Sequence, residues 1–334
     1  MNAPTPARRP WPIAALPLLL LASRVVLHRA PTVVEYPLPR AGAFPHDPAV
    51  GPDGVVWYTD QRNSYIGRLD PATGTVTDYA TPTPASGPHG IIVALDGSVW
   101  YTGNAKGLIG RLDPATGAIK EFPVPTEADD PHTPAWLSGR LWFTVQGANR
   151  YGVLDPATGA VRTWPLRISG SRPYGLVAGP DGRLWMALLG TNMLCRIDPT
   201  DGSLREFPLP AAGARPRRLQ VDPSGIVWYS DYARGQLGRL DPVTGVVREF
   251  AAPGGAASGP YGIDLGTDGR IWFDEAAVNT IVAFDPATGK MERVAIPTPG
   301  AIVRNMSVDS TRHRVWLAFS GTQRLGKIEL RSGQ

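Results

Sequence analysis

His89-Gly90-Ile91-Ile92-Val93, Asp96-Gly97-Ser98-Val99-Trp100-Tyr101-Thr102, Gly110-Arg111-Leu112-Asp113-Pro114-Ala115-Thr116-Gly117 and Ile119-Lys120-Glu121-Phe122-Pro123 follow one another along the chain. Each piece reads as a short strand or the turn that ends one. Asp caps a turn through its side chain, Pro presets φ, and Gly supplies the left-handed position, so Asp-Pro-Ala-Thr-Gly is hairpin chemistry. The same order recurs around Trp57, Trp100, Trp142, Trp185, Trp228, Trp272 and Trp316, at gaps of 43, 42, 43, 43, 44 and 44 residues. Four strands in about 43 residues make one propeller blade, and seven copies close a ring. The expected fold is therefore all-β, a seven-bladed β-propeller with four-stranded blades.

The two ends of the repeat agree with this. The seventh copy stops after its third strand, Leu325-Gly326-Lys327-Ile328-Glu329-Leu330. The missing piece stands at the other end as Val33-Val34-Glu35-Tyr36-Pro37-Leu38-Pro39, similar to Leu204–Pro210. The N-terminal strand is expected to complete the last blade and remove its open edge. Three residue types are then scaffold: the Trp, the turn residues, and Cys195, which replaces Gly at its place in the repeat and is expected to be a buried small hydrophobe. Arg68, Arg111, Arg196 and Arg239 recur in one strand and read as ties between blades.

The chain has 334 residues, 43% hydrophobic and 19% charged, too apolar and too weakly charged for a disordered chain. Its 38 Gly and 35 Pro argue for many turns and against a helical bundle. A single Cys excludes an intramolecular disulfide. Four of the 33 basic residues (Arg8, Arg9, Arg24 and Arg29) lie in residues 1–30 with no acid, leaving 29 bases against 29 acids. The body is neutral, so the basic pI is no sign of a polyanion partner, and no nucleic-acid partner is expected. Arg8-Arg9 precede the apolar run Trp11–Ala22, too short and Pro-rich for a comfortable membrane span. Residues 1–30 read as a signal peptide or N-terminal anchor and 31–334 as the propeller. The expected product is a periplasmic or secreted monomer with no membrane contact beyond that anchor.

Function should lie where equivalent positions differ. The residue after the Pro that opens an inner strand reads His46, His89, His132, Tyr174, Arg217 and Tyr261, and Asn305 completes the column, eleven residues before Trp316 in the last repeat. Inner strands face the central channel, so these side chains are expected to ring its mouth. Three of the five His fall in this column, which suits proton transfer or a divalent metal with an open position. A second column, at the end of the Trp strand, holds Asp60-Gln61, Gly103-Asn104, Val145-Gln146, Asp231-Tyr232 and Glu275.

Gly87-Pro88-His89-Gly90-Ile91, Asp96–Thr102, Ile109-Gly110-Arg111-Leu112 and Glu121-Phe122-Pro123-Val124-Pro125 resemble the virginiamycin B lyase (streptogramin lyase) family, and the likeness spans residues 32–330. The resemblance implies a carbon–oxygen lyase that opens a cyclic depsipeptide antibiotic by elimination. In it a magnesium ion polarises the ester and a His takes the adjacent α-proton. Such an activity confers antibiotic resistance. The family's Glu-Pro-His in the last blade is missing here, where Val303-Arg304-Asn305 stands instead, with Ser320 at a second Glu. A rotated register offers Pro88-His89, Asp130-Pro131-His132 with Gln146, and Pro173-Tyr174-Gly175. On that register the resemblance implies His132 as base, with His89 and Tyr174 beside it orienting substrate. Asp130 and Gln146 would hold magnesium, weakly, since Gln replaces an anionic ligand. His46, Arg217, Tyr261 and Asn305 complete the expected substrate wall. The partner is a small molecule or cyclic peptide. A non-catalytic propeller binding a small ligand, glycan or peptide is the competing reading, and a lactonase a third. Neither a Gly-x-Ser-x-Gly elbow nor a phosphate loop occurs.

Overall fold

In a computed structural model of the chain, residues 31–330 and Met1 are described. The expected signal or anchor in residues 1–30 lies, apart from Met1, outside the described residues. No helix among them is long and apolar enough to cross a membrane.

The described chain forms 28 strands, β1–β28, in seven four-stranded antiparallel sheets, with one 3-10 turn at Thr126–Ala128. Each blade begins with an inner strand: β2 (Pro45–Val50), β6 (Pro88–Val93), β10 (Pro131–Leu137), β14 (Pro173–Ala178), β18 (Pro216–Val221), β22 (Pro260–Leu265) and β26 (Val303–Asp309). Six sheets are continuous in sequence. The seventh has the order β1-β28-β27-β26, where β27 is Arg314–Phe319 and β1 (Val33–Pro37) pairs antiparallel to β28 (Arg324–Glu329), so the N-terminal strand closes the ring. Tyr36 lies on Trp316 at 5.4 Å between ring centroids, and Glu35 reaches Thr298 of blade 6.

Seven apolar clusters fill the seven spaces between blades. Each contains one repeat Trp together with strands of the following blade. Trp57 meets Ile91, Val99 and Tyr101, and Trp316 of the last blade meets Val56, Tyr58 and Leu69 of the first. The Trp are at most 2% exposed, and each contributes on the order of 3–5 kcal/mol by the usual cost of truncating a buried aromatic.

Arg111 and Arg196 correct one expectation. They pair with Asp96 and Asp181 of their own hairpins, and with Arg239 they stack over the Trp of their own blades. They brace a blade from within, while the apolar clusters join one blade to the next.

Gly at the centre of the third strand follows from packing. A Cβ on Gly67, Gly110 or Gly238 would lie 1.9–2.0 Å from Tyr58, Tyr101 or Tyr229, the cross-strand partner. Blade 4 pairs Cys195 with Met186, a slimmer and more flexible side chain, so a Cβ fits. Cys195 is fully buried, as expected, and burial pushes its thiol up to about 12. Gly110→Ala should therefore cost about 1–3 kcal/mol by overpacking, read as a lower denaturant midpoint. Cys195→Ala should cost less, because it creates no clash.

Candidate functional site

The site begins with a bulge. In every inner strand the register shifts after the first residue, so that two residues oppose one on the next strand: His46-Asp47 face Thr59, and His89-Gly90 face Thr102. A bulge bends the strand and re-aims side chains. The facing hydroxyl fixes the bend. Thr59 Oγ1 accepts from the Asp47 N–H at 3.1 Å and donates to the carbonyl of His89 in the next blade at 2.8 Å. Thr102, Thr144 and Ser230 do the same for His132, Tyr174 and Tyr261. In four blades one hydroxyl thus sets the height of the neighbouring channel residue, and Ala187 and Ala318 stand in its place in blades 4 and 7. Blade 6 uses Asp274 there. Its carboxylate accepts from the Gly262 N–H, its second oxygen has no partner, and burial holds its pKa well above the usual range.

The channel residues come together as the column predicts. His46, His89 and His132 are at most 4% exposed, with ring centroids 3.9 and 3.6 Å apart, and His132 lies 4.1 Å from Tyr174. The Tyr174 and Tyr261 hydroxyls share a hydrogen bond, and the Arg217 guanidinium sits 3.7 Å over the Tyr261 ring and donates to Tyr174 Oη at 3.3 Å. Burial lowers all three imidazole pKa values, reinforced at His89 by His132 and at His132 by Arg218, His46, Arg217 and Arg172. The imidazoles are therefore neutral at pH 7. His132 Nδ1 contacts Thr133 Oγ1 at 3.0 Å, while His89 Nδ1 has no partner.

One ion pair crosses the ring. Arg218 of blade 5 donates to Asp47 of blade 1 at 2.8 and 3.1 Å, and Asp47 also holds His46 Nδ1 at 2.8 Å. On the mouth side of this bar is a cavity of about 710 Å³, lined by the imidazoles and tyrosines with Gln61, Asn104, Gln146, Arg172, Arg215, Arg217 and Arg304. On the other side lies a smaller cavity of about 290 Å³.

Asn305 lines that smaller cavity. Strand β26 pairs Val303 with Phe319 as β22 pairs Pro260 with Glu275, so Arg304 is the true counterpart of Tyr261. The hairpin after β26 is one residue longer than its equivalents, which shifts a count taken from the Trp.

Asp130 does not line the mouth cavity either. Its carboxylate accepts from the N–H groups of Gly147 and Ala148, so it clamps the loop that follows Gln146, while Gln146 itself lines the cavity. Asp60, Asp231 and Glu275 of the second column likewise clamp Phe44, Arg215 and Gly254. The next residue along, Gln61, Asn104, Gln146 or Tyr232, faces the cavity. Arg172, Arg215, Arg304 and the Asp47–Arg218 bar were not anticipated. The doublet Arg217-Arg218 and the Arg before Pro173 and Pro216 were the available signals.

Magnesium takes hard oxygen ligands, usually one or two carboxylates. No described carboxylate lines the mouth cavity. His46, Asp47 and His89 place potential ligand atoms within 4.8 Å of one another, but Asp47 is already bound by Arg218 and His46. This donor set does not fit magnesium, so no step is routed through it.

An all-β ring that gathers imidazoles, phenols and guanidiniums at one mouth is a seven-bladed propeller with an axial chamber. The chain belongs to the virginiamycin B lyase family, whose model matches residues 23–197 and 160–334. It is similar to a streptogramin B lyase (27% identity, TM-score 0.83), over 90% of this chain and 98% of that one. Selenomethionine-substituted virginiamycin B lyase from Staphylococcus aureus gives 26% and 0.83, over 90% and 100%. The extracellular domain of a two-component system of B. thetaiotaomicron shares the fold at 15% identity and TM-score 0.72, over 90% of this chain and 40% of that one. No curated protein matches.

Asp274 supplies a pH test. A carboxyl with a raised folded pKa binds its proton more tightly in the native state, so the native state loses stability as pH rises from about 4 toward that pKa. Asp274→Asn removes this slope. Its stability relative to the parent should be higher at pH 8 than at pH 4, as measured by denaturant titration at both values.

Proposed function

We propose that this propeller opens a cyclic ester or depsipeptide of the streptogramin B type by elimination at the mouth cavity, with His132 as base. Three features support the reading: membership of the lyase family, a neutral buried imidazole, and a donor cluster on the same wall. The His132–Tyr174 contact carries most of the weight, because it joins the base to the Tyr174–Tyr261–Arg217 cluster. In the step, His132 takes the proton α to a carbonyl, and the phenol and guanidinium donors hold the negative charge that develops on its oxygen. The Cα–Cβ bond becomes double as the Cβ–O bond breaks, and a carboxylate leaves. The proton passes from His132 to solvent. His89 and His46 keep the neighbouring wall uncharged, while Gln61, Asn104 and Gln146 offer amide contacts to a peptide rim. Export to the periplasm or exterior, where such a substrate is met, is part of this proposal.

A second reading, a non-catalytic binding propeller, is favoured by one observation: Asp130 is spent on Gly147 and Ala148. His132→Ala separates the two. The lyase reading expects a loss of about 10²-fold or more in ring opening, followed by mass spectrometry of the linear product, with an unchanged melting temperature. A binder shows ligand-induced stabilisation and no turnover. His89→Ala should also keep the fold, since the blades are joined through Trp and backbone contacts.

The pH profile is a further check. A base with a lowered pKa stays unprotonated below pH 6.5, so the rate of opening should hold level from pH 8 to pH 6 and fall only in more acidic solution. A rate that halves near pH 6.5 would assign the proton transfer to an ordinary exposed imidazole.

A further inference from the structure

Four guanidiniums face the mouth cavity, from Arg172, Arg215, Arg217 and Arg304, and no carboxylate shares the wall with them. Among the described residues none of the four takes part in an ion pair, whereas Arg218 just below is neutralised by Asp47. Their neutral partners leave donors unused. Arg304 Nε donates to Ser320, Arg217 uses one nitrogen on Tyr174 while its buried Nε has no partner, and Arg215 uses one on loop carbonyls. Like charges gathered at one recess repel one another, and a bound anion relieves that repulsion.

A second observation points the same way. The residue before the inner-strand Pro is left-handed in several blades and is Gly in blades 2 and 6, at φ +61° and +63°. In blade 4 it is Arg172, at φ +49°. A long side chain accepts backbone strain where Gly would carry none, and its guanidinium is thereby set on the cavity rim. Ile302 shares this conformation in blade 7 and borders the adjoining recess.

We infer that the mouth cavity is selective for ligands bearing an oxyanion, a carboxylate, sulfate or phosphate group, held between the Arg172, Arg217 and Arg304 guanidiniums with an apolar body against Tyr174, Tyr232 and Tyr261. Guanidinium forks match the paired oxygens of such groups, and the tyrosine faces supply flat contact area. The inference rests on the mouth cavity being the ligand site of the proposed lyase. It adds that the molecule taken there is anionic, either as it enters or as the carboxylate released by elimination.

The test uses the full chain and two flat probes of equal shape, benzoate and benzamide, titrated by calorimetry at fixed ionic strength. Benzoate should bind at least tenfold more tightly. Arg172→Gly and Arg304→Gln should each weaken benzoate at least fivefold and leave benzamide unchanged, and Arg172→Gly should melt no lower than the parent because it relieves φ strain. Sulfate or phosphate should displace benzoate where chloride at equal ionic strength does not. Equal affinity for the two probes, no binding of benzoate, or equal displacement by chloride would overturn the inference. Benzoate binding without any opening of a cyclic depsipeptide retires the lyase reading and leaves this one standing. Opening that proceeds unaltered under high benzoate does the reverse.

Discussion

Everything in this molecule depends on each blade covering the tryptophan of the one before it. A four-stranded sheet of five-residue strands has two apolar faces and cannot bury either alone. The Trp set into the next blade at seven successive interfaces turns that weakness into a ring with no free face. Closure is completed by β1 on β28, which places the two ends of the repeat in a single sheet. The stability of any one blade is then a property of its neighbours, as in other repeat architectures.

The ring also explains why the site is precise although it draws on strands far apart in sequence. A bulge in every inner strand turns a side chain inward, and in four blades the Thr or Ser opposite bonds to the bulged N–H and to the carbonyl of the adjacent channel residue. Neighbouring imidazoles therefore stand at one level and stack at 3.6–3.9 Å. Stacking at that distance inside a buried wall forbids more than a small share of positive charge, which is why the imidazoles are neutral while guanidiniums, which cannot shed theirs, stand beside them. The Asp47–Arg218 bar then divides the channel, so that the mouth is a chamber with a floor and not an open pore.

Most of the fold was legible because its causes are periodic. Trp spacing gave the blade count, and Val33–Pro39 supplied the strand that Leu325–Leu330 lacked. The column of His46, His89, His132, Tyr174, Arg217 and Tyr261 was legible for the same reason. Asn305 failed because a hairpin one residue longer after β26 displaces the count, and only strand register reveals that Arg304 is the true counterpart. The acids failed for a different reason. Asp60, Asp130, Asp231 and Glu275 sit next to the mouth in sequence, yet they answer the backbone N–H groups of nearby loops. A residue's type tells what it can bind, but not that a neighbouring amide will claim it first.

That competition bears on how this propeller differs from what its family resemblance implies. A carboxylate bonded to two amide N–H groups is already compensated, and freeing it for a cation would leave those amides unsatisfied in a half-buried loop. The mouth cavity beside it carries four guanidiniums, each of which would repel a divalent ion. Both effects push the chamber away from cation chemistry and toward anions. A neutral imidazole loses nothing in such a field, since a positive surrounding only keeps it unprotonated. Hence a neutral base and a set of anion-holding donors can share one recess.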